Sequence, residues 1–129
     1  MIPSTLTLVV LPQRLAICRL EPDAPIPPWA ANDGFFSVTR TADELSVVCN
    51  ESAAPAGIRC EKEWRCLRVA GALPFSAVGV LAALTLPLAE ADISVFVLST
   101  FDTDYLLVKA KDLEPATDAL RRRGVQTTF

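Results

Sequence analysis

This chain of 129 residues contains no histidine. That absence removes Ser-His-Asp and Cys-His catalysis, and with them the commonest metal ligand. Glycine is scarce too: there are five, none in a GxGxxG or GxxxxGK[ST] arrangement, so neither a dinucleotide cradle nor a P-loop can be assembled. Positive charge is thin. The net charge is −3, and the one basic tract, Arg121-Arg122-Arg123, falls where a helix should end and complements its dipole. A nucleic-acid or anionic-membrane surface would need clustered positive charge, so neither partner is expected. No stretch reaches the ~18 apolar residues of a membrane span. The opening run, residues 1–17, lacks a preceding positive charge and a small-residue cleavage site, and reads as a first strand rather than a signal peptide. Cys18, Cys49, Cys60 and Cys66 show no CxxC spacing and lie in apolar surroundings. They read as reduced core thiols of a cytoplasmic protein, with no metal and no cofactor.

What is present is a large apolar fraction, 51% of the residues against 21% charged. That excludes disorder and supplies one domain, or two small modules sharing a core. Thr5 to Val10 reads as a strand that Pro12 breaks, followed by a second short strand, Leu15 to Leu20. Glu21 to Ala31 carries four prolines and can only be a rigid loop. Phe35–Thr39 and Leu45–Cys49 read as a hairpin, Asn50–Gly57 as a loop, and Ile58–Ala70 as a strand. Ser76 to Ala91 has apolar residues at 3.6 spacing, with Ser76 as its N-cap and Pro87 bending its last turn. Ile93–Leu98 and Tyr105–Lys109 are strands rich in β-branched and aromatic residues. Asp112 caps a second helix, Leu113–Arg123, which Gly124 stops, and Val125–Phe129 returns as a strand.

From Leu67 onward the order is strand, helix, strand, strand, helix, strand, the split βαβ arrangement. The first half reads as a worn copy of the second: Ser37 to Val48 aligns with Val97 to Val108, placing Glu44 opposite Asp104. Between the two central strands lies a polar corner, Ser99-Thr100-Phe101-Asp102-Thr103-Asp104. Asp and Thr in a turn commonly just hydrogen-bond their own backbone. Two carboxylates and three hydroxyls are nonetheless more polar chemistry than a connection needs.

The run GVLAALTLPLAEADISVFVLST resembles an ACT domain. In its extended form, PLAEADISVFVLSTFDTDYLLV, it is similar to the ACT repeats of CASTOR-type arginine sensors and their bacterial relatives. The similarity spans roughly residues 34 to 123. It implies an α+β fold of two ferredoxin-like (βαββαβ) ACT modules in tandem, with antiparallel sheets and helices on one face. Residues 1–62 would form a degenerate first module and residues 63–129 the second. It also implies a small ligand, usually an amino acid, held at a module interface without chemistry on it, and a dimer. Thr100, Phe101 and Asp104 match pocket positions of the arginine sensors. Where those sensors place a glutamate near the helix start, this chain has Ala77, which removes a second acidic partner for a guanidinium unless Asp102 substitutes.

The residues themselves point to the same place. A free amino acid needs partners for its carboxylate and its ammonium. The helix start offers backbone amides of Ala77, Val78 and Gly79 beside the Ser76 cap, with a favourable dipole for an anion. Ser99, Thr100, Asp102 and Asp104 offer acceptors for a cation, with Phe101 over the aliphatic part. The Asp102/Asp104 pair could also serve acid–base work, but no nucleophile, metal cage or histidine accompanies it. The expectation is a non-enzymatic amino-acid sensor. The competing reading is an interaction module of the same fold that binds no metabolite.

Overall fold

A computed structural model describes residues 6–31 and 34–129. They form two compact units. One is Gln13–Trp64; the other joins residues 6–12 to Arg65–Phe129. Two long strands, β1 (Thr7–Leu20) and β4 (Arg59–Val69), contribute residues to each. The expected boundary at residues 62 and 63 therefore leaves out the first strand, whose opening residues pair within the C-terminal unit.

In that unit β4 leads to helix α1 (Val80–Glu90), strands β5 (Phe96–Ser99) and β6 (Asp104–Lys109), helix α2 (Leu113–Arg122) and strand β7 (Gln126–Thr128). The strands run in the order β7-β1-β4-β6-β5. This is the split βαβ order with one strand interposed, since β7 pairs in parallel with the start of β1, Thr7 opposite Gln126. Alternation produces the core. Leu8 and Val10, Leu67 and Val69, and Leu106 and Val108 turn alternate side chains to one face. Val80, Leu84 and Leu88 of α1 pack there with Ala116 and Leu120 of α2, so both helices cover the same side. Gly124, at positive φ, closes α2 by letting Val125 N–H reach back to the Leu120 carbonyl at 3.1 Å.

Unit Gln13–Trp64 contains the hairpin of β2 (Ser37–Arg40) and β3 (Leu45–Asn50), with β3 antiparallel to β1 from Leu15 to Leu20. Its core gathers Ala16, Cys18, Leu45, Val47 and Cys49. Among the described residues it has two single 3-10 turns and no α-helix, so the βαββαβ order is completed once, not twice. Prolines 22, 25, 27 and 28 forbid a helix in the first crossing, and Pro55 and Gly57 stop the turn at Glu51–Ala53.

Three further expectations are corrected. Pro12 does not break the first strand: it lies between the β7-paired stretch, Thr7–Val9, and the β3-paired stretch, Leu15–Leu20, where a missing N–H is tolerated. Thr5, expected to begin that strand, lies outside the described residues. Ile93–Val95 is not strand, and β5 starts at Phe96. Asp112 does occupy the N-cap position of α2, yet its side chain makes no capping bond. Among the described residues no helix is long and apolar enough to cross a membrane.

Candidate functional site

The polar corner is the tip of the β5–β6 hairpin, whose last pair is Ser99 opposite Asp104. The connection folds on itself: Thr100 N–H donates to the Thr103 carbonyl at 2.8 Å, and Thr103 N–H donates to the Thr100 hydroxyl at 3.3 Å. Thr103 turns inward, and its buried hydroxyl donates to the Val69 carbonyl at 2.8 Å. The Asp102 carbonyl accepts from Leu73 N–H at 2.7 Å, tying the tip to the segment after β4. Both threonines thus satisfy backbone, as turn residues commonly do. The carboxylates are different. Ser99 Oγ donates to Asp104 Oδ1 at 2.6 Å, holding that carboxylate in one orientation.

On the facing side the helix begins three residues later than expected, its N-cap at Gly79 and not Ser76. Ser76 lies in a turn in which Ala77 N–H donates to the Pro74 carbonyl at 2.9 Å, so the Ala77 amide is already used. Gly79 is the N-cap, at φ 83, a left-handed conformation costly for any residue with a Cβ. The first intrahelical bond runs from Ala83 N–H to the Gly79 carbonyl at 2.9 Å. The amides without an intrahelical partner are therefore those of Gly79, Val80, Leu81 and Ala82.

The two sides enclose a cleft of about 360 Å³, within the roughly 300–1,000 Å³ of small-molecule sites. Ala77, Gly79, Ser99, Thr100, Phe101, Asp102 and Asp104 line it; Ser76 and Val78 do not, and Val78 is 69% exposed. Leu73, Pro74, Phe75, Val80, Leu81 and Thr103 complete the lining. Of these, Phe75 was legible only as an aromatic beside Pro74 in an otherwise small-residue loop. Its ring meets Phe101 edge to face, with centroids 4.9 Å apart. The ionisable groups in the lining are the two aspartates, with no lysine or arginine. The lining therefore brings together two carboxylates, the first residues of α1 and a pair of aromatic rings. Among the described residues no group of three or more His, Cys, Asp or Glu could hold a metal ion.

The β2–β3 hairpin repeats the two bonds that close this tip. Thr41 N–H donates to the Glu44 carbonyl at 2.9 Å and Glu44 N–H to the Thr41 hydroxyl at 3.1 Å, with Arg40 opposite Leu45 as the last pair. Thr41 thus corresponds to Thr100 and Leu45 to Asp104. The sequence alignment that set Glu44 against Asp104 is off by one residue. At the acid's position the N-terminal hairpin has a fully buried leucine.

Residues 59–122 match the ACT domain model, and a separate N-terminal domain model matches residues 13–57. The chain belongs to the ACT-domain family. The bovine cytosolic arginine sensor for mTORC1, subunit 1, is 39% identical over 104 residues, 74% of this chain and 32% of the sensor. Across the human, bovine and rat relatives this ACT-domain chain spans from 18% to 61% of their length. A protein of Agrobacterium tumefaciens, solved by X-ray crystallography, shares the structure at a TM-score of 0.91 and 38% identity, covering 97% of this chain and 93% of that one. The regulatory subunit of aspartate kinase from Thermus flavus matches at a TM-score of 0.62 and 11% identity, covering 90% and 95%. That last likeness is one of fold alone.

Proposed function

We propose that this ACT-domain protein is a non-catalytic cytosolic sensor that binds a free amino acid in the cleft between the β5–β6 tip and the start of α1. The observation that carries the reading is the pairing of opposite chemistries across one cavity. Asp102 and Asp104 line it together with Gly79, Val80 and Leu81, whose amides have no partner within the helix. A ligand carboxylate suits the helix start, where amide donors and the dipole act together. Its ammonium, or a cationic side chain, suits the aspartates, and Phe101 and Phe75 suit aliphatic carbon or a guanidinium face. Arginine and lysine are the first ligands to test, since the bovine relative is named as an arginine sensor and no cation lines the cleft.

The N-terminal unit supports this reading by lacking a second receptor. Leu45 stands where the acid would, and Arg19 Nη2 donates to the Asp43 carbonyl at 2.9 Å, the counterpart of the Asp102 carbonyl. One ligand per chain is expected. The chain forms a homodimer whose equilibrium shifts with occupancy. A thermal-shift screen of the common amino acids tests the binding step. A ligand at 100 times its Kd adds about 2.7 kcal/mol of stability, a shift that Asp104→Asn should abolish. If no amino acid stabilises the protein at millimolar concentration, the alternative of an interaction module without a metabolite takes its place.

A further inference from the structure

Unit Gln13–Trp64 gathers thiols. Three of the four cysteines lie in it, on three neighbouring strands: Cys49 on β3, Cys18 on β1 and Cys60 on β4. All three are free, and they meet in one apolar cluster with Ala16, Leu45 and Val47. In the β1–β3 register Cys49 stands opposite Ala16, two residues along from Cys18, so alternation turns both thiols to one face. Cys18 is in hydrogen-bond contact with Cys60 and with Cys49. A single buried cysteine packs as a small hydrophobe. Three in contact also set sulfurs where a bond between two of them needs little movement.

Access and strand order decide which two. Cys18 and Cys49 are 1% and 0% exposed, and burial pushes both thiols up, keeping them protonated. Thiols so placed do not react with an oxidant in solvent. Cys60 is only partly buried, and its S–H donates to the Ile58 carbonyl at 3.3 Å. Cys60 is therefore where oxidation of this cluster begins. β4 and β1 are adjacent, about 4.8 Å apart, whereas β3 lies beyond β1. The Cys49 and Cys60 backbones are thus two spacings apart, about 9–10 Å, outside the roughly 4.4–6.8 Å between the Cα atoms of a disulfide.

We propose that Cys60 and Cys18 form a peroxide-responsive dithiol, a modification site separate from the ligand cleft. The Cys60 thiolate attacks one oxygen of hydrogen peroxide. An S–O bond forms, the O–O bond breaks, and hydroxide leaves to take up the thiol's proton as water. Cys60 is then a sulfenic acid, oxidised by two electrons, and the peroxide is reduced. Cys18 sulfur attacks Cys60 sulfur in turn. The S–S bond forms, the S–O bond breaks, and the leaving hydroxide carries off the Cys18 proton as a second water. Two thiols and one peroxide thus become a disulfide and two waters, and Cys18 need not ionise beforehand. Contact with Cys18 also stops the oxidation there, because a sulfenic acid without a resolving thiol goes on to sulfinic acid. The product joins β1 to β4 covalently, and a dithiol reductant restores both thiols.

Peptide mapping of the full chain tests the proposal, after excess hydrogen peroxide and alkylation of the remaining thiols in denaturant. Wild type should lose two of its four thiols, show the Cys18 and Cys60 peptides joined, and regain both thiols with dithiothreitol. Cys18→Ala should leave a sulfenic acid on Cys60 that dimedone traps, followed by sulfinic acid. Cys49→Ala should form the same disulfide as wild type. The wild-type map decides the matter if either variant fails to fold. A wild-type Cys60 that stays a thiol, or that passes to sulfinic acid with no disulfide, overturns the proposal. So does a disulfide that pairs Cys60 with Cys49, with Cys66 or with a second chain, or one that is lost in Cys49→Ala. Ligand binding is read on reduced protein, so neither result bears on the other.

Discussion

Ser99 Oγ donates to Asp104 Oδ1 at 2.6 Å across the closing pair of the β5–β6 hairpin. One oxygen of the carboxylate is thereby fixed in a residue that lines the cleft. Ser99→Ala removes an exposed bond, so stability should fall by no more than about 1 kcal/mol. Ligand affinity should fall roughly tenfold, because about 1.4 kcal/mol of orientation is lost. Titration calorimetry beside urea unfolding separates the two effects.

Thr103 faces the other way, and its hydroxyl is the buried strut between the tip and β4 at Val69. Thr103→Val keeps the shape and orphans the Val69 carbonyl, which costs about 1–3 kcal/mol. Here stability should move more than affinity, the reverse of Ser99→Ala. The urea midpoint should drop with an unchanged m-value.

Gly79 holds φ 83 at the helix start. Gly79→Ala should cost about 1–2 kcal/mol of strain and set a methyl at the cleft wall, weakening ligand binding as well. Gly71 has φ 82 and open space where a Cβ would stand, so Gly71→Ala should show comparable strain with ligand affinity intact. The pair of variants distinguishes strain from obstruction.

Burial pushes the Cys66 thiol from an ordinary 9.0 up to about 12, with the Arg68 charge pulling slightly the other way. The unfolded chain then releases this proton at lower pH than the folded one. Stability is therefore full below pH 9 and should fall as pH rises toward 12. Cys66→Ala should flatten that decline in thermal melts between pH 8 and 11. Cys18 and Cys49 are raised by burial too, so the variant should reduce the slope and not remove it.

Much of this fold is written locally. The alternation in β4, β5 and β6, the apolar stripe of α1 and the Gly124 stop are short-range signals, and they lead to the right elements. The polar corner is visible because Asp102 and Asp104 interrupt two apolar runs. The start of α1 is hidden because Ser76 carries a capping side chain, whereas the decisive features are a Pro74–Ala77 turn and the left-handed Gly79. The interposed β1 has no local signature, since parallel pairing of Thr7 with Gln126 joins residues at opposite ends of the chain. The repeat is recognisable but slips by one position, because Thr41 and Thr100 fix the turns while the acids Glu44 and Asp104 suggest a different match.

The central claim is that the Ser99–Asp104 tip and the first turn of α1 together receive an amino acid. Amide chemical-shift mapping by NMR during titration with arginine, lysine and neutral amino acids tests it most directly. The account predicts saturable shifts concentrated at Gly79–Ala82 and Ser99–Asp104, with one ligand per chain, and their loss in Asp104→Asn. Saturable shifts centred in Gln13–Trp64, or none at any amino acid, would contradict it.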